Sequence, residues 1–148
     1  MGKRFERCVY CFGETDGSGP CPHCGYDHGL CDPPAWWLSP GTVLKGRYVA
    51  GKNLSSSPTE LGYLGWDLER NSPVQIVEYF PKELVTRDIT ASERISCIPG
   101  GERLLKQGQQ RFLEKAKLFY QCVRRVQPLD MDFFFRNDTC YYVRSLRD

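Results

Sequence analysis

Two tight cysteine pairs, Cys8-x-x-Cys11 and Cys21-x-x-Cys24, constrain the first thirty residues more than any other feature of the chain. Two residues between the cysteines let both sulfurs of one turn face a single ion, and two such turns supply four thiolates. A glycine follows each pair (Gly13 after Phe12, and Gly25), which predicts turns that aim backbone N–H groups at the sulfurs. The stretch between the pairs carries Gly13, Gly17, Gly19 and Pro20, so it can loop back. A segment this short has little core, and a bound metal supplies the missing folding free energy. Cys8, Cys11, Cys21 and Cys24 are therefore the expected ligands of a structural Zn²⁺ in a small ribbon over residues 1–30. With all four tetrahedral positions filled by protein, no site is left open for catalysis. His23 is expected at the surface, and His28 and Cys31 are spare donors.

At 148 residues, 41% hydrophobic and 13% aromatic, the chain can bury a core, which excludes wholesale disorder. No apolar run approaches the roughly 18 residues needed to cross a bilayer. The basic start MGKRFERCVYC has no apolar stretch behind it and lacks a Ser or Thr at position 6, so neither secretion nor myristoylation is expected. The other cysteines (Cys31, Cys97, Cys122, Cys140) are scattered, which suits a reducing, cytoplasmic setting better than a disulfide framework. The net charge of +2 is unevenly spread: residues 103–125 hold seven Lys/Arg against one acid. Residues 1–30 are slightly acidic, and four thiolates around a dication add negative charge, so the ribbon itself should repel a phosphate backbone.

Residues 31–45 (with Pro33, Pro34, Trp36, Trp37 and Pro40) are expected to be a stiff connector whose tryptophans pack on the sheet C-terminal to it. Short strands are predicted over residues 47–54, 61–68 and 73–80, the last stopped by Pro81. Residues 82–101 read as irregular and polar. Over 103–125, Leu105, Phe112, Ala116, Phe119 and Val123, continuing to Val126, recur at helical spacing and predict one buried stripe. Strands over 131–135 and 139–146 come next, joined by Arg136-Asn137-Asp138. The order β-β-β-α-β-β implies an α+β domain over residues 46–148, with a five-stranded antiparallel sheet and one long helix.

Several phrases make a more specific likeness: CPHCGY, LSPGTVLKGRYVAGKNL, VQIVEYFPKELVTRD, FLEKAKLF and DFFFRNDTCYYV. Together they resemble the small lobe of bacterial Ser/Thr protein kinases that carry an N-terminal zinc ribbon. The resemblance implies a nucleotide site, and the residues depart from it. Where such kinases have a glycine-rich hairpin over the phosphates, this chain has Leu54-Ser55-Ser56-Ser57-Pro58-Thr59-Glu60, with a proline lacking an N–H and an added negative charge. Where the family's third strand reads Val-Ala-Ile-Lys, it has Val74-Gln75-Ile76-Val77, so Val77 stands in the place of the phosphate-binding lysine. Lys115 stands where the partner glutamate of the helix is implied, and Glu114 lies about 100° around the helix from it.

No His-Arg-Asp base or Asp-Phe-Gly metal ligand occurs in these residues. The expectation is a non-catalytic, pseudokinase-like module with no bound ATP. Its partner would be a protein, or a second copy, on the surface that a large lobe would cover. Two alternatives stand beside it. One is nucleic-acid binding through Arg103, Lys106, Arg111, Lys115, Lys117, Arg124 and Arg125 of the basic helix. The other is nucleotide sensing without phosphotransfer.

Overall fold

The structure is a computed structural model that describes residues 7–15, 19–26, 34–126 and 129–146. The strands are β1 (Thr42–Leu44), β2 (Tyr48–Ser56), β3 (Glu60–Asp67), β4 (Ser72–Tyr79), β5 (Val85–Thr86), β6 (Ser96–Cys97), β7 (Met131–Arg136) and β8 (Thr139–Ser145), with helix α1 (Glu102–Val123) between β6 and β7. Six of them form one antiparallel sheet in the order β1-β2-β3-β4-β8-β7, and β5 and β6 pair as a separate ribbon. The architecture is α+β; the expected strands β2, β3 and β4 precede α1 and β7 and β8 follow it, and β1, β5 and β6 are additional.

Alternation builds the core. Register sets Tyr63 beside Ile76 and Ile76 beside Val143, while Leu61 meets Glu78 and Glu78 meets Tyr141. These side chains share one face, and all are almost fully buried. The sheet curls until strands that are not neighbours touch. The Tyr48 ring on β2 stacks on Phe134 of β7 with centroids 5.9 Å apart. Tyr48 Oη and Lys45 Nζ each donate to Asp132 Oδ2 at 2.8 Å. The other face receives α1 through Leu105, Gln109, Phe112 and Ala116, and Phe112 lies 5.5 Å from the Tyr79 ring and 5.4 Å from Tyr142.

Three expectations need correction. The sheet has six strands instead of five, because Thr42–Leu44, within the stretch read as connector, pairs with β2. Two left-handed residues, Lys45 (φ 58) and Gly46 (φ 64), make the tight return that allows it. A three-residue strand is too short for alternation to reveal. Second, residues 82–101 are not irregular throughout: they hold the β5–β6 ribbon and the buried Arg87. Third, the helix stripe is buried only as far as Ala116, whereas Phe119 is 45% and Val126 88% exposed. Past Ala116 the contact passes to another side of the helix, where the Tyr120 ring lies 6.3 Å from Phe133 of β7.

The tryptophans pack as expected. Trp36 stacks on Phe80 with centroids 6.1 Å apart, Trp37 meets Trp36 edge-on, and the Leu38 N–H donates to Tyr63 Oη at 3.1 Å.

Candidate metal centre and the β2–β3 turn

The four cysteines Cys8, Cys11, Cys21 and Cys24 converge, with all four sulfurs within 4.8 Å of one another. The Cys8–Cys24 edge is 3.8 Å and the Cys11–Cys21 edge 3.7 Å. A tetrahedron with metal–sulfur bonds of about 2.3 Å has edges of about 3.8 Å, so this donor set can hold one metal ion. His23 is exposed and its Nε2 lies 3.0 Å from Glu14 O, outside the cluster. His28 and Cys31 lie outside the described residues.

Each pair closes the same turn. In the first, Phe12 N–H donates to Cys8 O (2.8 Å) and Cys8 N–H to Gly13 O (2.9 Å); in the second, Gly25 N–H donates to Cys21 O (2.9 Å) and Cys21 N–H to Tyr26 O (3.0 Å). Backbone N–H groups of Tyr10, Gly13 and His23 point at the sulfurs of Cys8, Cys11 and Cys21, at 3.3–3.4 Å. Burial opposes ionisation of Cys21, but the N–H groups of Cys24 and His23 outweigh it and hold the thiol down at about 6. Burial pushes Cys11 up. Four thiolates packed this closely repel one another, so all four ionise together only around a cation.

The left-handed position of the turn is a glycine in one pair and not in the other. Gly25 takes the left-handed position of the second turn (φ 79), but Phe12 takes it in the first (φ 62). Bulky residues adopt that conformation at a cost, offset here by packing. Phe12 is 4% exposed and forms a small cluster with Val49 and Trp66 on the sheet. Gly13 is needed for space instead: a Cβ there would lie 2.5 Å from the His23 ring. The Arg7 guanidinium sits 4.1 Å over the Trp66 ring, and the Lys52 N–H donates to Tyr10 O at 3.0 Å. The cysteine turns are thus seated on β2 and β3.

Gly51 makes that seat possible, because a Cβ there would lie 2.6 Å from the Phe12 ring and 2.8 Å from the Tyr10 carbonyl. Gly51→Ala is expected to lift the cysteine turns off the sheet at a cost of about 1–3 kcal/mol, while the four sulfurs stay able to hold a metal ion. Trp66 fluorescence quenching and metal content report the two halves separately. Unchanged quenching would sink the prediction.

The positions that the kinase resemblance assigns to nucleotide are filled differently. Val77 is buried, with Gly62 and Tyr142 as its cross-strand neighbours. Gln75 Oε1 accepts from Arg144 Nε at 2.6 Å. Lys115 and Glu114 are both exposed on α1, and neither forms an ion pair among the described residues.

The β2–β3 turn is closed on itself. Ser57 Oγ accepts from the N–H groups of Thr59 (3.3 Å) and Glu60 (3.0 Å), and Ser57 N–H donates to Glu60 O at 2.9 Å. The tip is also tied down: Phe80 N–H donates to Thr59 O at 2.8 Å, Lys82 N–H to Pro58 O at 2.9 Å, and Lys82 Nζ to Ser56 Oγ at 2.6 Å. A loop that cradles phosphate needs free N–H groups aimed at the ligand. Here Ser57, Thr59 and Glu60 have theirs engaged, and Pro58 has none.

The solved structure of PpkA-294 in its apo form, a bacterial Ser/Thr kinase fragment, matches with a TM-score of 0.64 at 19% identity. The match covers 75% of this chain and 39% of that one. At this identity the likeness is one of fold. No family model matches the chain, and no curated protein does. No described helix is long and apolar enough to cross a membrane.

Sequence reasoning missed one charged centre. Glu78 and Arg87 have wholly buried side chains and pair through two bonds, Nη1 to Oε2 at 2.7 Å and Nη2 to Oε1 at 2.8 Å. Arg87 also donates to the carbonyls of Trp36 (Nη2, 2.8 Å) and Glu93 (Nη1, 3.3 Å), while Tyr63 and Tyr141 hydroxyls donate to the carboxylate. Glu78 carried a signal, a carboxylate on the same strand face as Val74 and Ile76. Arg87, in a polar stretch, carried none.

Proposed function

We propose that this chain is a zinc-bearing, kinase-derived module that binds protein and transfers no phosphate. The observation that carries the reading is Val77, an apolar side chain buried where the kinase resemblance calls for the phosphate-binding lysine. The closed β2–β3 turn supports it, as does Lys115, exposed where that lysine's partner glutamate is implied. Zn²⁺ is the ion that suits four thiolates in a tetrahedron, and with no open position its role is structural. Tight thiolate pairs and otherwise isolated cysteines suit the reducing cytoplasm.

The exposed apolar residues of α1 and its C-terminal end favour protein as the partner. Pull-down with the zinc-loaded chain, read by mass spectrometry, tests the binding half. The nucleotide half is tested by thermal shift. ATP with Mg²⁺ at millimolar concentration is expected to leave Tm unchanged, since a ligand stabilises only by binding the folded state. A clear rise in Tm would show a nucleotide sensor and overturn this half of the reading.

A further inference from the structure

We infer that the exposed flank of α1 docks an acidic amphipathic helix of a protein partner. The inference rests on the binding-module reading and names the chemistry of what is bound. Leu104, Arg111, Lys115 and Leu118 follow one another at spacings of seven, four and three residues. At about 100° per residue they fall within a sector of roughly 60°. All four are exposed, Leu104 at 58% and Leu118 at 61%. Phe119 borders the sector, and Val126 stands exposed just past the helix.

This flank is separate from the stripe of Leu105, Phe112 and Ala116 that packs on the sheet. Leu104 and Leu118 are about 21 Å apart along the axis, the length of four helical turns. The seam has the heptad-like spacing on which a second helix packs.

Charge selects the occupant. Arg111 and Lys115 lie between the two leucines, and neither forms an ion pair among the described residues. The two acids of α1 are placed away from the seam: Glu114 is about 70° from its centre, and Glu102 is on the opposite side. A partner helix with leucine-like side chains on one stripe and Asp or Glu beside it would cover the apolar residues and neutralise both cations. A nucleic acid would satisfy the cations only, leaving Leu104 and Leu118 against a charged backbone.

The probe is a labelled, designed amphipathic peptide of roughly 20 residues, with Leu on its seam and Glu beside it, titrated with the zinc-loaded full chain and followed by anisotropy. Controls are the same peptide with Lys in place of Glu, and a DNA duplex. The acidic peptide is expected to bind at least about tenfold more tightly than the basic one near physiological salt. Arg111→Glu/Lys115→Glu should reverse that preference. Leu118→Ser should weaken the acidic peptide severalfold, which an effect of charge alone would not do.

Lys106→Glu, off the seam, should change binding by less than about twofold. All four positions are exposed, so circular dichroism should show every variant folded. Equal binding of the two peptides, an equal loss from Lys106→Glu, or tighter binding of the duplex would overturn the inference. So would a partner found by pull-down and retained by Arg111→Glu/Lys115→Glu; that result would leave the binding-module reading standing.

Discussion

Stripping metal from the four-cysteine cluster with a chelator is expected to unfold the two cysteine turns, residues 7–15 and 19–26, while the sheet stays intact. The effect should be the largest available in this protein. Structural zinc in small Cys-rich segments contributes roughly 10–16 kcal/mol of apparent binding free energy, nearly all of it folding free energy. Here the cysteine turns have almost no core of their own: the buried cluster is Cys8, Cys21 and Tyr26. The sheet has a separate and much larger core, from Leu38 through Val143, with no side chain from the cysteine turns in it. Loss of metal should therefore free four reactive thiols and expose Trp66, with little change in strand signal. Cys8→Ser should do the same without a chelator. One metal per chain and a four-thiol rise on chelation are the readouts. Equal thiol reactivity with and without chelator would sink the idea.

Arg87→Ala is expected to lower stability by about 3–5 kcal/mol, because it leaves a buried carboxylate uncompensated. That is a large part of the 5–15 kcal/mol typical of a domain. The loss is not merely of one pair: Arg87 holds the Trp36 carbonyl against the sheet and fills acceptors from Glu78 and Glu93. Replacing both partners, as in Glu78→Gln/Arg87→Met, should recover much of the loss, since it removes the stranded charge. Urea titration of the single and double variants separates the two cases. A loss below about 1 kcal/mol for Arg87→Ala would mean that water reaches Glu78.

The parts of the fold legible in the sequence are those written in local pattern. Val74, Ile76 and Tyr79 announced β4 as part of a β-branched and aromatic run, and Pro81 ended it. Leu105, Phe112 and Ala116 announced α1 through their spacing. The cysteine cluster was the clearest case, because ligand spacing within a turn is itself a geometric statement, and the four sulfurs lie where that spacing implies. Less legible was anything set by a distant partner. Phe119 and Val126 belong to the same periodic stripe as Phe112, yet they are exposed, while Tyr120 beside Phe119 meets Phe133 of β7. Periodicity tells which residues share a face, but not how far the opposing surface reaches.

Sequence alone therefore determined the clustering of four thiols and the α+β class, and it sets Val77 and Lys115 where the kinase resemblance calls for a lysine and a glutamate, since each is a matter of residue identity at short spacing. The tertiary structure alone decided that Thr42–Leu44 joins the sheet, that Phe12 seats the cysteine turns on Val49 and Trp66, and that Arg87 is buried against Glu78. These contacts join residues distant in the chain or tie an element to a neighbour's surface. Their free energy comes from burial and pairing that exist only once the sheet has curled.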